Sequence, residues 1–312
     1  MAEPILKWAG GKRSMLDEIL DRLPPESQFN RYFEPFFGGG AVFFALKPNN
    51  GYINDINPRL INFYKQVKKN PEIIISKNRE FDKKYEEQVN DDNKPFYYEK
   101  RREFNLLRSE PDDCEDPLQE ASLLLFLNRT CFNGLYRTNQ EGNFNVPVGS
   151  KWTELSILEP RIREAHRILQ NTEITRNDFT YVEDLVEEGD VVFSDPPYPS
   201  VRESGSFEKY TPEGFGFERH KELKELAVRL DERGAYVMIT NANDQDTDID
   251  KNNYIETLYS GETLPDSFRI TKAEGKRMIN SDATKRTDIG DTDIIVTNFS
   301  PFDDQRTFED FR

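Results

Sequence analysis

Directly after an apolar run at residues 190–194, the chain reads Asp195, Pro196, Pro197, Tyr198. Two prolines fix φ and remove two backbone donors, so this corner is stiff and its carbonyls lack helix or ladder partners. A carboxylate, a free carbonyl and an aromatic ring then stand together at the end of a strand, where open α/β sheets place ligands. The set suits a planar exocyclic amine. Asp195 and the Pro196 carbonyl accept its two N–H groups, Tyr198 stacks on its ring, and the nitrogen lone pair is turned toward an electrophile. The plain alternative is a Pro-Pro turn that closes a buried strand.

A second cluster lies nearer the N-terminus, where Phe36 and Phe37 run into Gly38, Gly39 and Gly40, and Asp55 ends another short apolar segment. The third glycine of G-x-G-x-x-G falls at Phe43, which argues against a dinucleotide. Nor do Gly11 and Lys12 form a phosphate loop, because Leu6 and Arg13 occupy the places of its first glycine and its hydroxyl residue. The turn and the acid about twenty residues on fit a nucleoside without a pyrophosphate, its ribose on Asp55. S-adenosylmethionine is such a ligand, and it is an electrophile. Cys114, Cys131, His166 and His220 show no metal-ligand or nucleophile spacing, so no metal site and no His-based hydrolase is expected.

These groups need a frame. Residues 31–37 read as a buried strand, 38–40 as a glycine turn, and 41–46 as the start of a helix. Residues 51–55 form a second strand and Pro58 opens a helix through Lys69. Strands recur at 190–194, 235–240 and 293–299, with an apolar-period helix at 219–230. Alternation of this kind predicts a doubly wound, mostly parallel Rossmann-like α/β sheet built from both ends of the chain. The middle departs from it: 72–105 is helical and charged, 111–117 is a breaker-rich acidic loop, and 118–127 is an apolar helix. Residues 129–147 contain Asn-Gly and Glu-Gly turns among aromatic and β-branched residues, which predicts a hairpin protruding from an inserted domain.

At 312 residues the chain can bury about three quarters of its unfolded surface, so its core needs neither disulfides nor metal. Its 36% hydrophobic and 32% charged composition excludes the disordered and fibrous classes. The longest strongly apolar run, 121–127, is far below the roughly 20 residues of a membrane span, and no signal-peptide core is present, so a cytoplasmic protein is expected. The formal net charge is −16, which opposes a polyanionic partner. That charge is unevenly spread: residues 59–108 carry 13 Lys and Arg against 9 Asp and Glu. They form either a positively biased face or a solvated helical surface.

Six blocks together carry a resemblance: residues 6–12 (LKWAGGK), 33–38 (FEPFFG), 54–57 (NDIN), 128–137 (NRTCFNGLYR), 143–149 (NFNVPVG) and 195–198 (DPPY). In that order they resemble the Dam-type DNA adenine N6-methyltransferases, over most of the chain. The resemblance implies S-adenosylmethionine as methyl donor and the N6 amine of adenine in double-stranded DNA as acceptor. It implies a catalytic domain of residues 1–57 and 158–312 and an inserted, mainly helical target-recognition domain of residues 58–157 carrying the hairpin.

Carried over position by position, Trp8 and Lys12 are cofactor contacts, the indole near the sulfonium and the ammonium near the carboxylate. Phe36 and Gly38 line the same pocket, Asp55 takes the ribose, and Asp178 and Phe179 take the adenine ring. Asp195 is shared between cofactor and target base, with Pro196, Pro197 and Tyr198 completing the catalytic corner. Phe132 stands where the family more often has Tyr and would stack in the space left by a flipped base. Arg137 would donate to both acceptors of a guanine edge, with Leu135 and Pro147 beside a thymine methyl. Arg129, Asn133, Asn139 and Asn145 would contact phosphates or bases, although each asparagine reads equally well as a turn residue. Lys94, Lys100, Arg101 and Arg102 are further phosphate candidates. Arg277 and Arg286 resemble a basic loop of the family, and Asp293 stands where an acid one carbon longer is usual.

The expected enzyme is a monomer that methylates adenine within GATC by base flipping. A structured-RNA or protein-glutamine methyltransferase would use a similar pocket, but Asp195 and the hairpin favour adenine in DNA. A catalytically silent DNA-binding relative would keep the insertion and lose the pocket residues, which here are intact.

Overall fold

The computed structural model describes residues 3–88, 95–110, 113–150, 155–197, 215–242, 258–259, 264–274 and 292–300. Its strands are β1 Tyr32–Glu34, β2 Gly51–Asn54, β3 Arg108–Glu110, β4 Asp113–Cys114, β5 Thr172–Thr175, β6 Val191–Ser194, β7 Tyr236–Ala242, β8 Arg269–Glu274 and β9 Thr292–Thr297. Its helices are α1 Leu16–Arg22, α2 Ala41–Leu46, α3 Pro58–Lys69, α4 Pro71–Glu86, α5 Pro95–Leu106, α6 Pro117–Thr130, α7 Glu159–Ile168 and α8 Phe217–Glu232.

Seven strands form one sheet in the order β5-β2-β1-β6-β7-β9-β8. The first five are parallel, while β9 runs antiparallel to β7 and β8. This is the mostly parallel α/β sheet that the alternating pattern predicts. From β1 the chain builds β2 and β5 on one side and β6 and β7 on the other, so the order reverses between β1 and β6. A crevice opens beyond the carboxyl ends of strands at such a switch point, and here those ends lead into residues 35–40 and 195–197.

The Val-Val-Phe-Ser run of β6 is buried throughout because helices cover both faces of the sheet. Val191 and Phe193 pack with Tyr32, Phe43 and Leu60, whereas Val192 packs with Phe33 and with Leu223 and Leu226 of α8. The same two-residue period places Met238 on the first side and Val237 and Ile239 on the second.

Local signals set several element ends. Helix α3 begins where the Asn57 side chain accepts from the amides of Arg59 and Leu60 with Pro58 at the first position. Helix α6 begins the same way, on Asp116 and Pro117. Helix α8 is one turn longer than its apolar period implies, and the edge strands β5 and β8 were not apparent in the sequence. The acidic stretch 111–117 expected as a loop contains β4, which pairs antiparallel with β3. Buried Glu120 pins the start of that ribbon through a two-pronged bond to Arg108.

The hairpin region has two isolated bridges, Cys131 to Val148 and Thr138 to Phe144, in place of a continuous ladder. A 3₁₀ turn at Phe132–Gly134, with Asn133 at φ 55°, interrupts the pairing. The inner side packs down: Tyr136, Phe144 and Val146 are buried, Tyr97 donates to the Val146 carbonyl at 2.8 Å, and Asn105 bonds both backbone groups of Phe144. Residues of the middle segment such as Phe126 share one continuous apolar cluster with Tyr32 and Phe193 of the sheet.

Candidate active site

Asp195 follows β6 directly and lies at the switch point. Its Oδ1 accepts from Lys12 Nζ at 2.8 Å and from Thr240 Oγ1 at 2.9 Å. Among the described residues Oδ2 has no hydrogen-bond partner, and neither has the carbonyl of buried Pro196. Burial pushes the Asp195 carboxyl above its ordinary range, against the opposing pull of Lys12 and Thr240, and Asp293 adds to the rise. Pro197 is exposed, and Tyr198 lies outside the described residues.

Lys12 is 5% exposed, and Asp293 Oδ2 lies 3.7 Å from its ammonium. The position assigned from sequence to the carboxylate of a cofactor is thus engaged by two acids of the sheet. Beneath Asp195, Glu34 is buried and accepts from Tyr32 Oη at 2.8 Å; burial pushes its carboxyl well above the usual range.

The glycine turn is shaped around Trp8. Gly38 has φ 50°, and a Cβ there would stand 2.9 Å from Trp8 Cδ1, so only glycine fits. Asp55 fixes the turn by accepting from the Gly38 amide on one oxygen and the Asn57 amide on the other, both at 2.9 Å. Burial raises the Asp55 pKa and those two amides oppose the rise. Buried Asn54 ties β2 to both neighbouring loops, donating to the carbonyls of Pro35 and Asn177 and accepting from the Asn177 amide. Phe36 and Phe179 are stacked with centroids 5.2 Å apart, and Phe215 meets Phe36 edge-on at 5.4 Å. Asp178 is exposed, caps the next turn and pairs with Arg219, whose guanidinium covers the Phe179 ring at 4.5 Å.

The sequence-nominated DNA residues divide into two groups. Phe132 (41% exposed), Arg137, Asn139 and Pro147 are on the surface, with Asn133 and Asn145 half-buried. Asn145 Oδ1 accepts from Arg137 Nε at 2.8 Å, which steadies the guanidinium. The Pro147 carbonyl accepts from the Phe132 amide. Asn139 Oδ1 accepts from the amides of Glu141 and Asn143, the bonding of a turn residue. Leu135 is buried beneath this surface. Arg129 is half-buried and donates to the Ile5 carbonyl; burial and nearby Arg161 and Arg13 lower its pKa to about 10. Of the other basic candidates, Lys100 pairs with Glu99 and Glu103, Arg101 bonds the Val146 carbonyl, and Arg102 is exposed. Lys94, Arg277 and Arg286 lie outside the described residues.

The model of the D12 class N6 adenine-specific DNA methyltransferases matches residues 8–279, a span that holds both the glycine turn and the Asp-Pro-Pro corner. The chain belongs to this family. It is 34% identical over 304 residues to the type II methyltransferase M.MjaIII of Methanocaldococcus jannaschii, covering 95% of this chain and 99% of that one. It is 34% identical over 301 residues to M1.LlaDCHI of Lactococcus lactis subsp. cremoris, 95% of each. The DNA adenine methylase of Escherichia coli K12 is 34% identical over 242 residues, 76% of this chain and 79% of that protein.

Several residues of this D12 methyltransferase's site escaped sequence reasoning. Thr240, Phe215 and Arg219 carry no motif of their own, and Tyr136, which stacks on Trp8 at 5.3 Å, lies in the NRTCFNGLYR block without having been singled out. The one available signal was Thr240 as the polar end of an apolar strand. Among the described residues no helix is long and apolar enough to cross a membrane, and no cluster of three or more potential metal ligands is present.

Proposed function

We propose that this D12 methyltransferase transfers a methyl group from S-adenosylmethionine to the N6 amine of adenine in double-stranded DNA. The observation that carries this reading is a pair of acceptors, Asp195 Oδ2 and the Pro196 carbonyl, that have no partner among the described residues and stand at the switch point with Lys12 and Thr240 holding Asp195 Oδ1. The chain's residues fit the cofactor. Asp55 offers an acceptor to ribose hydroxyls, the Phe36–Phe179–Phe215 cage offers aromatic faces to an adenine, and the Gly38 turn lets backbone approach closely beside Trp8.

When bound, S-adenosylmethionine supplies an electrophilic methyl group. The amine of adenine is a weak nucleophile because its lone pair is delocalised into the ring. Asp195 and Pro196 accept its two hydrogens, which favours a pyramidal nitrogen with a localised lone pair. Lys12 and Thr240 fix the Asp195 carboxylate through Oδ1 and so aim Oδ2. We assign Lys12 to this task, since its ammonium is already held by Asp195 and Asp293. After transfer the N6 ammonium is strongly acidic, and Asp195 or water takes its proton.

A base stacked inside a duplex cannot present its amine to Asp195 and Pro196, so the adenine is flipped out, with Phe132 stacking in the gap. Residues 58–157 act as the recognition insertion: Arg137, steadied by Asn145, reads a guanine edge beside Pro147, and Arg129 holds the hairpin base to the N-terminal segment. GATC is the target sequence, read by a monomer working on cellular DNA in the cytoplasm. Labelled methyl transfer to duplex DNA against RNA tests the substrate. Digestion of the product with nucleases that sense methylation within GATC tests the sequence. Label in RNA alone refutes the reading, and label in DNA at another sequence refutes only GATC.

A further inference from the structure

His220, in the first turn of α8, is fully buried, although imidazole is costly to bury without partners. Its Nδ1 lies 3.2 Å from Asn241 Nδ2. An amide nitrogen only donates, so Nδ1 accepts and the ring proton sits on Nε2. Nε2 is itself buried with no hydrogen-bond partner among the described residues. Three parts of the site meet at this ring. Phe215 contacts it edge-on at 4.7 Å and belongs to the aromatic cage with Phe36 and Phe179. Asn241 follows Thr240, which bonds Asp195. The Pro197 backbone adjoins it and partly offsets the lowering that burial imposes, which takes the imidazole pKa down to about 4. A ring that is neutral at working pH, with its lone pair given to Asn241, cannot shuttle protons.

We propose that His220 is a positioning residue for methyl transfer: it locks Asn241 on β7 and sets its ring against the Pro197 backbone, which keeps the catalytic corner in register with the Phe215 cage. This rests on the methyltransferase reading above. The acceptor pair of Asp195 and Pro196 is useful only if it faces the methyl donor within a fraction of an ångström, and one rigid ring touching strand, corner and cage sets that relation. An inert core histidine would fill space and no more.

The chain has two histidines, so a long-range proton–nitrogen spectrum of the wild-type enzyme shows two imidazoles. One is expected as the neutral Nε2–H tautomer, constant between about pH 5 and 8. Two rings that both titrate near about 6.5 overturn the proposal. His220→Phe keeps volume and burial while it removes both polar functions, and His220→Gln can restore an acceptor and a donor. The single-turnover transfer rate is expected to fall by about tenfold to a hundredfold in the Phe variant, with cofactor affinity within about threefold and melting temperature maintained, and to recover in part in the Gln variant. A wild-type rate in the Phe variant refutes the role, as does a loss that follows cofactor affinity or melting temperature alone. Should the variants fail to fold, the wild-type spectrum decides. A wild-type enzyme that leaves DNA unmethylated removes the substrate reading, and the spectrum still judges the clamp.

Discussion

Replacing Lys12 by Met removes the ammonium and keeps the stem in its buried channel. The ammonium lies 2.8 Å from Asp195 Oδ1, with side chains 5% and 18% exposed, so little water screens the pair. Removing one partner of a buried pair costs about 3–5 kcal/mol, because the other charge is left uncompensated. If the lower figure falls on the orientation of Asp195, transfer slows about a hundredfold, at about 1.4 kcal/mol per decade. The Asp195 pKa is already raised by burial and held back chiefly by Lys12. Without Lys12 it rises further, so more alkaline solution is needed to ionise the carboxylate and the acid limb of the rate profile moves up in pH. Stability has the opposite sense. A carboxyl whose folded pKa exceeds its unfolded one is penalised above the folded value and carries no penalty below the unfolded value. Lys12→Met should therefore lose more melting temperature in alkaline than in acidic buffer. The assay is single-turnover methyl transfer to a duplex across the pH range, beside thermal melts. An unmoved acid limb with a rate within about threefold of wild type would refute the assignment of Lys12 to Asp195.

Other outcomes follow from the hairpin and the glycine turn. Arg137→Ala should lose about 1–3 kcal/mol of discrimination at one base pair, read as kcat/KM over a panel of substituted duplexes, with cofactor affinity unchanged. Collapse of cofactor affinity with specificity intact would reassign the residue. Phe132→Ala removes an exposed ring and should raise the KM for DNA by at least about fivefold, the lower end of one lost base stack, without lowering the melting temperature. An unchanged KM would mean that the ring does not stack on DNA. Gly38→Ala drives a Cβ to 2.9 Å from the Trp8 indole at φ 50° and disturbs its stack on Tyr136. Melting temperature and cofactor affinity should fall together, as calorimetry and equilibrium binding would read; retention of both would show that the turn is not close-packed.

Much of this protein was legible locally. The limits of α3 follow from Asn57, Pro58 and a lysine-rich last turn, and β6 follows from an unbroken apolar run. The stiffness of the Asp-Pro-Pro corner follows from two consecutive prolines, because φ restriction and a missing N–H act within one or two residues. What the chain could not declare was which distant groups meet. Lys12 carries the same side chain whether it faces a cofactor or Asp195, and only the packing of the N-terminal segment against β6 and β9 decides. The same holds for Leu135, which a surface motif nominates and the packing of Tyr136 and Phe144 draws inward, and for Arg129, which burial turns toward Ile5. Thr240 gains its place because β7 lies beside β6, a neighbour relation made by sheet order, and His220 because α8 packs against β7. Steric and capping rules are short-ranged and can be read along the chain, whereas burial and charge pairing depend on distances that exist only after the sheet has assembled.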